Sequence, residues 1–250
     1  MIAFAAVPTV SRHPQARPGS ELPARDIAEI RVAENLAAPG CPLCWGRRAA
    51  EQRFVDAVIA EAVTDVGARR RLDAAGGYCA RHTVMLPARE RVRRGGTLGS
   101  AILLGSVLRG RLAALDALAT TTGRHLRGRT AAFRQPPACP VCQDVTGSLG
   151  SLLTVVIGRL PDPAWADALT GAELCLDDLG VLWDAVGRSG GRAAEAWRPI
   201  AAAQAARLRA ILATADRYVD HSGHDRQIEM TDEERTAVDQ LVRVLASGPG

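Results

Sequence analysis

"CPLC" at residues 41–44 returns as "CPVC" at residues 139–142, and the fold follows from how this doubled tetrapeptide is read. Behind the first copy come an apolar helical stretch, a turn and "YCARH" (78–82). Behind the second come an apolar helical stretch, a turn and "LCLDD" (174–178). Between Cys44 and Cys79 lie 34 residues (45–78), and between Cys142 and Cys175 lie 32 (143–174). Shifted by 98, Phe54, Val55, Val58 and Ile59 fall on Leu152, Leu153, Val156 and Ile157. Shifted by 96, Met85 and Leu86 fall on Val181 and Leu182. All 6 Cys belong to this pattern. Self-similarity of this length marks a tandem duplication.

The repeat divides the chain into an N-terminal tail (1–21), a first module (22–121), a linker (122–138) and a second module (139–250). The tail holds Pro8, Pro14, Pro18 and Gly19 without periodic apolar residues. The linker, "TTGRHLRGRTAAFRQPPA" (121–138), breaks the pattern with Gly, Thr and paired Pro. Phe54, Val55, Val58, Ile59 and Val63 form a helical stripe, predicting a long helix over about 42–66. Further helices are predicted over about 22–37, as a short helix entered from the turn at 74–82, from "GGTLGS" (95–100) to about 120, and over 140–160, 163–171, 176–187, 192–221 and 231–247. The last opens on Thr231 and Glu234, a capping box. No period-2 strand is found, so the fold class is all-α: tandem helical modules stapled by metal in one compact helical domain.

Composition agrees. Of 250 residues 47% are hydrophobic but only 4% aromatic, so the core is built from Ala, Leu and Val, and Ala and Leu favour helix. All 31 basic residues are Arg, and Asn35 is the only Asn. That pattern reads as a coding bias, which weakens Arg richness as a sign of nucleic-acid binding. A net charge of +4 permits such contact without demanding it. No uninterrupted run of 18 apolar residues occurs, so no membrane span is expected. The start of the chain does not read as a signal peptide, and a cytoplasmic location is expected. There, clustered Cys point to metal or redox chemistry before disulfides.

Metal fits the spacing. In Cys-x-x-Cys at the start of a helix, both thiolates can face one ion. Pro at the first helical position loses no bond, and the helix N-terminus favours thiolate. Cys79 and His82, three apart, share one helix face. The first module therefore offers Cys41, Cys44, Cys79 and His82, a Cys3His set suited to tetrahedral zinc. The second offers Cys139, Cys142 and Cys175, with Asp178 in register with His82. A carboxylate binds zinc, but it is a harder partner beside three thiolates. Asp178 as fourth ligand, a labile metal completed by water, and a metal-free trio of buried Cys all stay open. One or two zinc ions per chain are expected, with an iron–sulfur cluster as the alternative. The structural alternative for each Cys is a small buried hydrophobe.

"HSGHD" (221–225) puts His221, His224 and Asp225 close together. They could hold a metal, complete the second site in place of Asp178, or form a functional patch. The plainer reading is a helix C-terminus, where His and Gly223 belong as capping residues. Arg residues cluster at 68–71, 88–96 and 123–134, and acids at 225–239. Aromatic stacking platforms are lacking, so the Arg clusters read first as solvated faces. "GGTLGS" (95–100) lacks the strand and Lys of a phosphate loop, and no HExxH or GxSxG occurs. The balance leans away from an enzyme.

Together "CPLC", "GYCARH" (77–82), "GGTLGSAILL" (95–104), "CPVC", "LCLDD" and "HSGHDRQIEMTDEERTAVDQLV" (221–242) resemble a bacterial family of unknown function. That family carries two CPxC motifs, each followed by CxxH, and a C-terminal HD-x-R segment. The resemblance runs from about residue 40 to the C-terminus and implies a helical, metal-binding protein with no established reaction. Asp178 stands where the family has His. Three functions follow as expectations: a non-enzymatic adaptor or scaffold for a protein partner, a nucleic-acid-binding regulator using the Arg clusters, and a thiol-redox or labile-metal protein using the Cys3Asp site.

Overall fold

The computed structural model describes residues 22–119, 139–222 and 229–246, and among these it contains helices and no strand. The helices are α1 (Ile27–Ala37), α2 (Pro42–Ala57), α3 (Val66–Ala74), α4 (Ala80–Arg94), α5 (Leu98–Ala119), α6 (Pro140–Arg159), α7 (Pro163–Thr170), α8 (Leu176–Ser189), α9 (Gly191–His221), α10 (Asp232–Arg235) and α11 (Ala237–Leu245). The all-α expectation holds. The helix predicted over 42–66 is shorter. After α2 the chain makes one π-helical turn, Val58–Ala62. Asp65 then starts a new helix, α3, by accepting from the backbone N–H groups of Gly67 and Ala68. The final helix divides at Thr236, and the capping box of Thr231 and Glu234 opens α10.

The described residues form two compact units, and these do not follow the order of the repeat. One holds 49–119 and 139–147; the other holds 22–48, 148–222 and 229–246. The modules expected at 22–121 and 139–250 are therefore not the packing units. Each unit takes the CPxC of one half and the CxxH or CxxD of the other. The reason lies in helix length. The 20 residues of α6 rise about 30 Å from end to end, and the helical run 42–62 matches it. The next helices, α7 and α3, have only 8 and 9 residues and rise about 12–14 Å, less than half that length. A CPxC at the start of a long helix is thus left behind by its own half.

In the first unit Val55, Ile59, Leu72, Leu86, Leu103 and Val141 form the core. The turn before Cys79 needs Gly77, whose φ is +103° and whose absent Cβ leaves room for Val107. Glu90 on α4 caps α5, accepting from the backbone N–H groups of Gly99 (2.8 Å) and Ser100 (2.7 Å) and from Ser100 Oγ (2.6 Å). In the second unit Leu43, Leu160, Leu174, Leu182, Trp197 and Ile200 centre the core, with α7, α8 and α11 packed on α9.

Among the described residues two helices, over Leu98–Asp116 and Pro140–Arg159, are long and apolar enough on average to cross a membrane, although neither contains an uninterrupted run of 18 apolar residues. Length and composition are the whole of that likeness. Each also sends residues into a protein core: Leu103 from α5, Val141 and Val156 from α6.

Candidate metal centres

Each unit brings together four metal-ligating side chains whose donor atoms lie within 4.8 Å of one another: Cys79, His82, Cys139 and Cys142 in the first, Cys41, Cys44, Cys175 and Asp178 in the second. These are the eight residues of the two Cys3His and Cys3Asp sets read from the sequence. The partners are exchanged relative to the expected sets, so that "CPLC" meets "LCLDD" and "CPVC" meets "YCARH".

Both centres sit at a pair of helix N-termini. Cys79 and Cys175 are the N-cap residues of α4 and α8, which puts His82 and Asp178 in the first turn. Pro140 and Pro42 open α6 and α2, with a Cys just before and another in the first turn. Four donors thus face the positive ends of two helices, where anionic sulfur is stabilised.

In the first centre His82 Nδ1 faces the sulfurs of Cys79 (3.1 Å), Cys139 (3.4 Å) and Cys142 (3.5 Å). The Cys79 and Cys142 sulfurs are 3.9 Å apart. Four donors around zinc at 2.3 Å from each sulfur would give sulfur–sulfur edges of about 3.8 Å. The other ring nitrogen, Nε2, lies 2.6 Å from Glu51 Oε1. Glu51 in turn accepts two hydrogen bonds of 2.8 Å from the Arg81 guanidinium. A carboxylate on the far nitrogen fixes the ring and leaves Nδ1 as the ligand atom. Burial opposes the Glu51 charge, but His82 and Arg81 outweigh it and hold its carboxyl at about 2. Burial likewise opposes a charge on His82, yet Glu51 and Cys139 lift it to about 9.

In the second centre Asp178 turns its two oxygens to opposite tasks. Oδ2 faces the sulfurs of Cys41 (2.9 Å), Cys44 (3.2 Å) and Cys175 (3.2 Å). Oδ1 accepts from the Arg47 guanidinium, which also reaches Cys44 Sγ at 3.6 Å. The Cys44 and Cys175 sulfurs are 3.8 Å apart. This cage is sealed: Cys41, Cys44, Cys175 and Asp178 are 8%, 3%, 1% and 0% exposed. The thiols work against one another. Hydrogen bonds from Cys41 and Cys44 hold the Cys175 thiol low, and hydrogen bonding to Cys175 pushes the Cys44 and Cys41 thiols up. Such a donor set becomes fully anionic only around a cation, and a divalent ion fits it.

Sequence reasoning missed Glu51 and Arg47. Arg47 follows Cys44 by three residues on α2, close to one helical turn, so it had a signal. Glu51 had none that set it apart from a surface carboxylate. The histidine expected as a substitute ligand is elsewhere: His221 Nδ1 lies 3.3 Å from Glu234 Oε2, outside both centres. His224 and Asp225 fall outside the described residues, as does the Arg cluster at 123–134.

Residues 24–159 match a family of unknown function, DUF6062. The chain belongs to that family. The DUF6062 match includes every donor of the first centre, together with Cys41 and Cys44, and stops before Cys175 and Asp178. No curated protein and no solved structure matches the chain.

Proposed function

We propose that this DUF6062 protein binds two zinc ions as structural staples and serves as a non-enzymatic adaptor for a protein partner. The observation that carries the zinc reading is the pair of closed four-donor sets, Cys3His and Cys3Asp, with sulfur–sulfur edges of 3.9 and 3.8 Å. Three thiolates select zinc over harder ions, and four protein ligands leave no open position for a substrate. Zinc also supplies folding energy to a chain poor in aromatic side chains. Iron on the same thiolates is the competing metal.

The adaptor reading rests on exposed apolar helix faces. On α11 Val238, Val242 and Leu245 are exposed at helical spacing, and on α8 Trp183 is exposed. Nucleic-acid binding through the Arg clusters has less support. Arg89 and Arg93 both pair with Asp56, which removes part of the positive surface expected at 88–96.

Elemental analysis of the purified, untagged protein tests the metal reading. Two zinc atoms per chain are expected; iron or no metal overturns it. Retention on duplex DNA at low salt, lost as salt is raised, would move the nucleic-acid reading ahead of the adaptor.

A further inference from the structure

We infer that the Cys3His centre is a peroxide-sensitive zinc-release site, with Cys142 as the attacking thiolate and Cys79 as the resolving one. The inference rests on the zinc reading above. Its basis is an asymmetry of access. Cys142 is exposed and Cys79 is half-buried, whereas Cys41, Cys44 and Cys175 are all buried, as is Cys139. The reactive centre is thus the conventional Cys3His cage and not the odd Cys3Asp one.

A thiolate must be reached to be oxidised, and metal binding keeps it deprotonated. Cys142 Sγ attacks one oxygen of a hydroperoxide and the O–O bond breaks. Cys142 becomes a sulfenic acid, and the departing hydroxide (from hydrogen peroxide) or alkoxide (from an organic hydroperoxide) takes a proton from solvent to form water or an alcohol. Cys79 Sγ, 3.9 Å from Cys142 Sγ, then attacks the sulfenic sulfur and displaces its hydroxide, which leaves as a second water. The two thiolates lose two electrons and the peroxide gains them. The new disulfide removes two of four donors, and His82 and Cys139 alone hold a zinc ion weakly. A thiol reductant reverses the bond and restores the cage.

The experiment treats the zinc-loaded full chain with a small excess of hydrogen peroxide. Zinc release is followed with a colorimetric chelator, and disulfides are mapped by peptide mass spectrometry. One of the two ions should leave about tenfold faster than the other, in step with a Cys79–Cys142 disulfide, as expected from thiolate access. Reductant and added zinc should reverse the loss. Cys142→Ser also removes a zinc donor, so it is read by disulfide mapping and not by zinc release: peroxide should no longer join Cys79 to a partner sulfur at the wild-type rate; should that variant not fold, the wild-type peptide map decides. Release of both ions at one rate, or a first disulfide containing Cys41, Cys44 or Cys175, overturns the switch while leaving the zinc reading intact. A Cys139–Cys142 bond overturns the role of Cys79. A protein purified without zinc overturns both readings.

Discussion

The Cys3His and Cys3Asp centres are made from the same pieces, a CPxC helix start and a CxxH or CxxD helix start, and they differ in what stands behind the fourth ligand. His82 has an anion behind it, Glu51, itself held by Arg81. Asp178 has a cation behind it, Arg47. The signs follow from charge. Three thiolates and a neutral imidazole around a divalent ion leave one excess negative charge, while three thiolates and a carboxylate leave two. Arg47 brings the second total back to one; Glu51 and Arg81 cancel and leave the first at one. The Asp substitution within the repeat therefore comes with its own counter-charge, and the second centre does not need to be a decayed copy of the first.

Removing metal should have the largest effect on this pair. Structural zinc contributes about 10–16 kcal/mol of apparent binding free energy in small folding units. A strong chelator is expected to abolish cooperative thermal unfolding and lower helicity. If the centres differ as described, the exposed one empties first, so titration with chelator should give two steps of equal zinc amplitude. A single step would erase the distinction between open and sealed cages.

Exchanging the fourth ligand comes next. Asp178→His supplies the softer donor that the family resemblance implies, but Asp178 is 0% exposed and its Oδ1 is bound to Arg47. The larger ring overfills the cage and strands the guanidinium. Breaking a buried ion pair costs about 3–5 kcal/mol. Asp178→His should lose one zinc ion and melt well below wild type. A variant that keeps two zinc ions and melts normally would show that the cage tolerates either ligand and that Arg47 is incidental.

The counter-charges themselves give a smaller, paired test. Arg47→Ala should weaken the sealed centre, and Glu51→Gln the open one, each by about 10–100-fold in zinc affinity, as for other groups that orient metal ligands. Competition with a chelator of known affinity reads both. The effects should be local, each variant altering one of the two steps. A Glu51→Gln protein with unchanged zinc affinity would mean that His82 is oriented by packing alone.

How far the sequence carried the site can be judged from these residues. The eight candidate donors that the structure gathers were legible, because CPxC and CxxH at helix starts restrict where the side chains point. Asp178 was found by register alone. The pairing was not found, since spacing within a half says which residues could act as donors but not which copy they meet. Helix length favours the exchange without dictating it: a run of about 20 residues is followed by a helix of only 8 or 9 residues, α7 or α3. Helix α3 itself was missed because "VGARRRLDA" buries only Leu72 and has no apolar stripe to read. Glu51 was invisible for a different reason. Its role depends on Arg81 and His82, 30 and 31 residues later, and a single carboxylate on a polar helix face has no local mark of such a partner.

The smallest effect lies at the joints that follow the CxxH and CxxD helices, where the two halves again solve one problem differently. Between α4 and α5 a carboxylate makes the turn: Glu90 accepts three hydrogen bonds from Gly99 and Ser100. Between α8 and α9 glycine makes it, with Gly190 and Gly191 at φ +60° and +52°. At the 96-residue shift Glu90 corresponds to Val186, an apolar core residue. Glu90→Gln keeps the shape but turns one acceptor oxygen into an NH2 group facing donors, which should cost about 1–3 kcal/mol. Burial works against the Glu90 charge, yet the bonds from Ser100 and Gly99 outweigh it and hold the carboxyl below its ordinary range. A carboxyl lowered in the folded state contributes fully above its unfolded pKa, and that contribution fades as pH falls through the folded value. The gap in melting temperature between wild type and Glu90→Gln should therefore be widest near neutral pH and close in acid. Glu90 belongs to neither donor set, so the difference between the two chains isolates its carboxylate. A gap that is constant with pH would assign the loss to altered packing and leave the carboxylate cap without energetic weight.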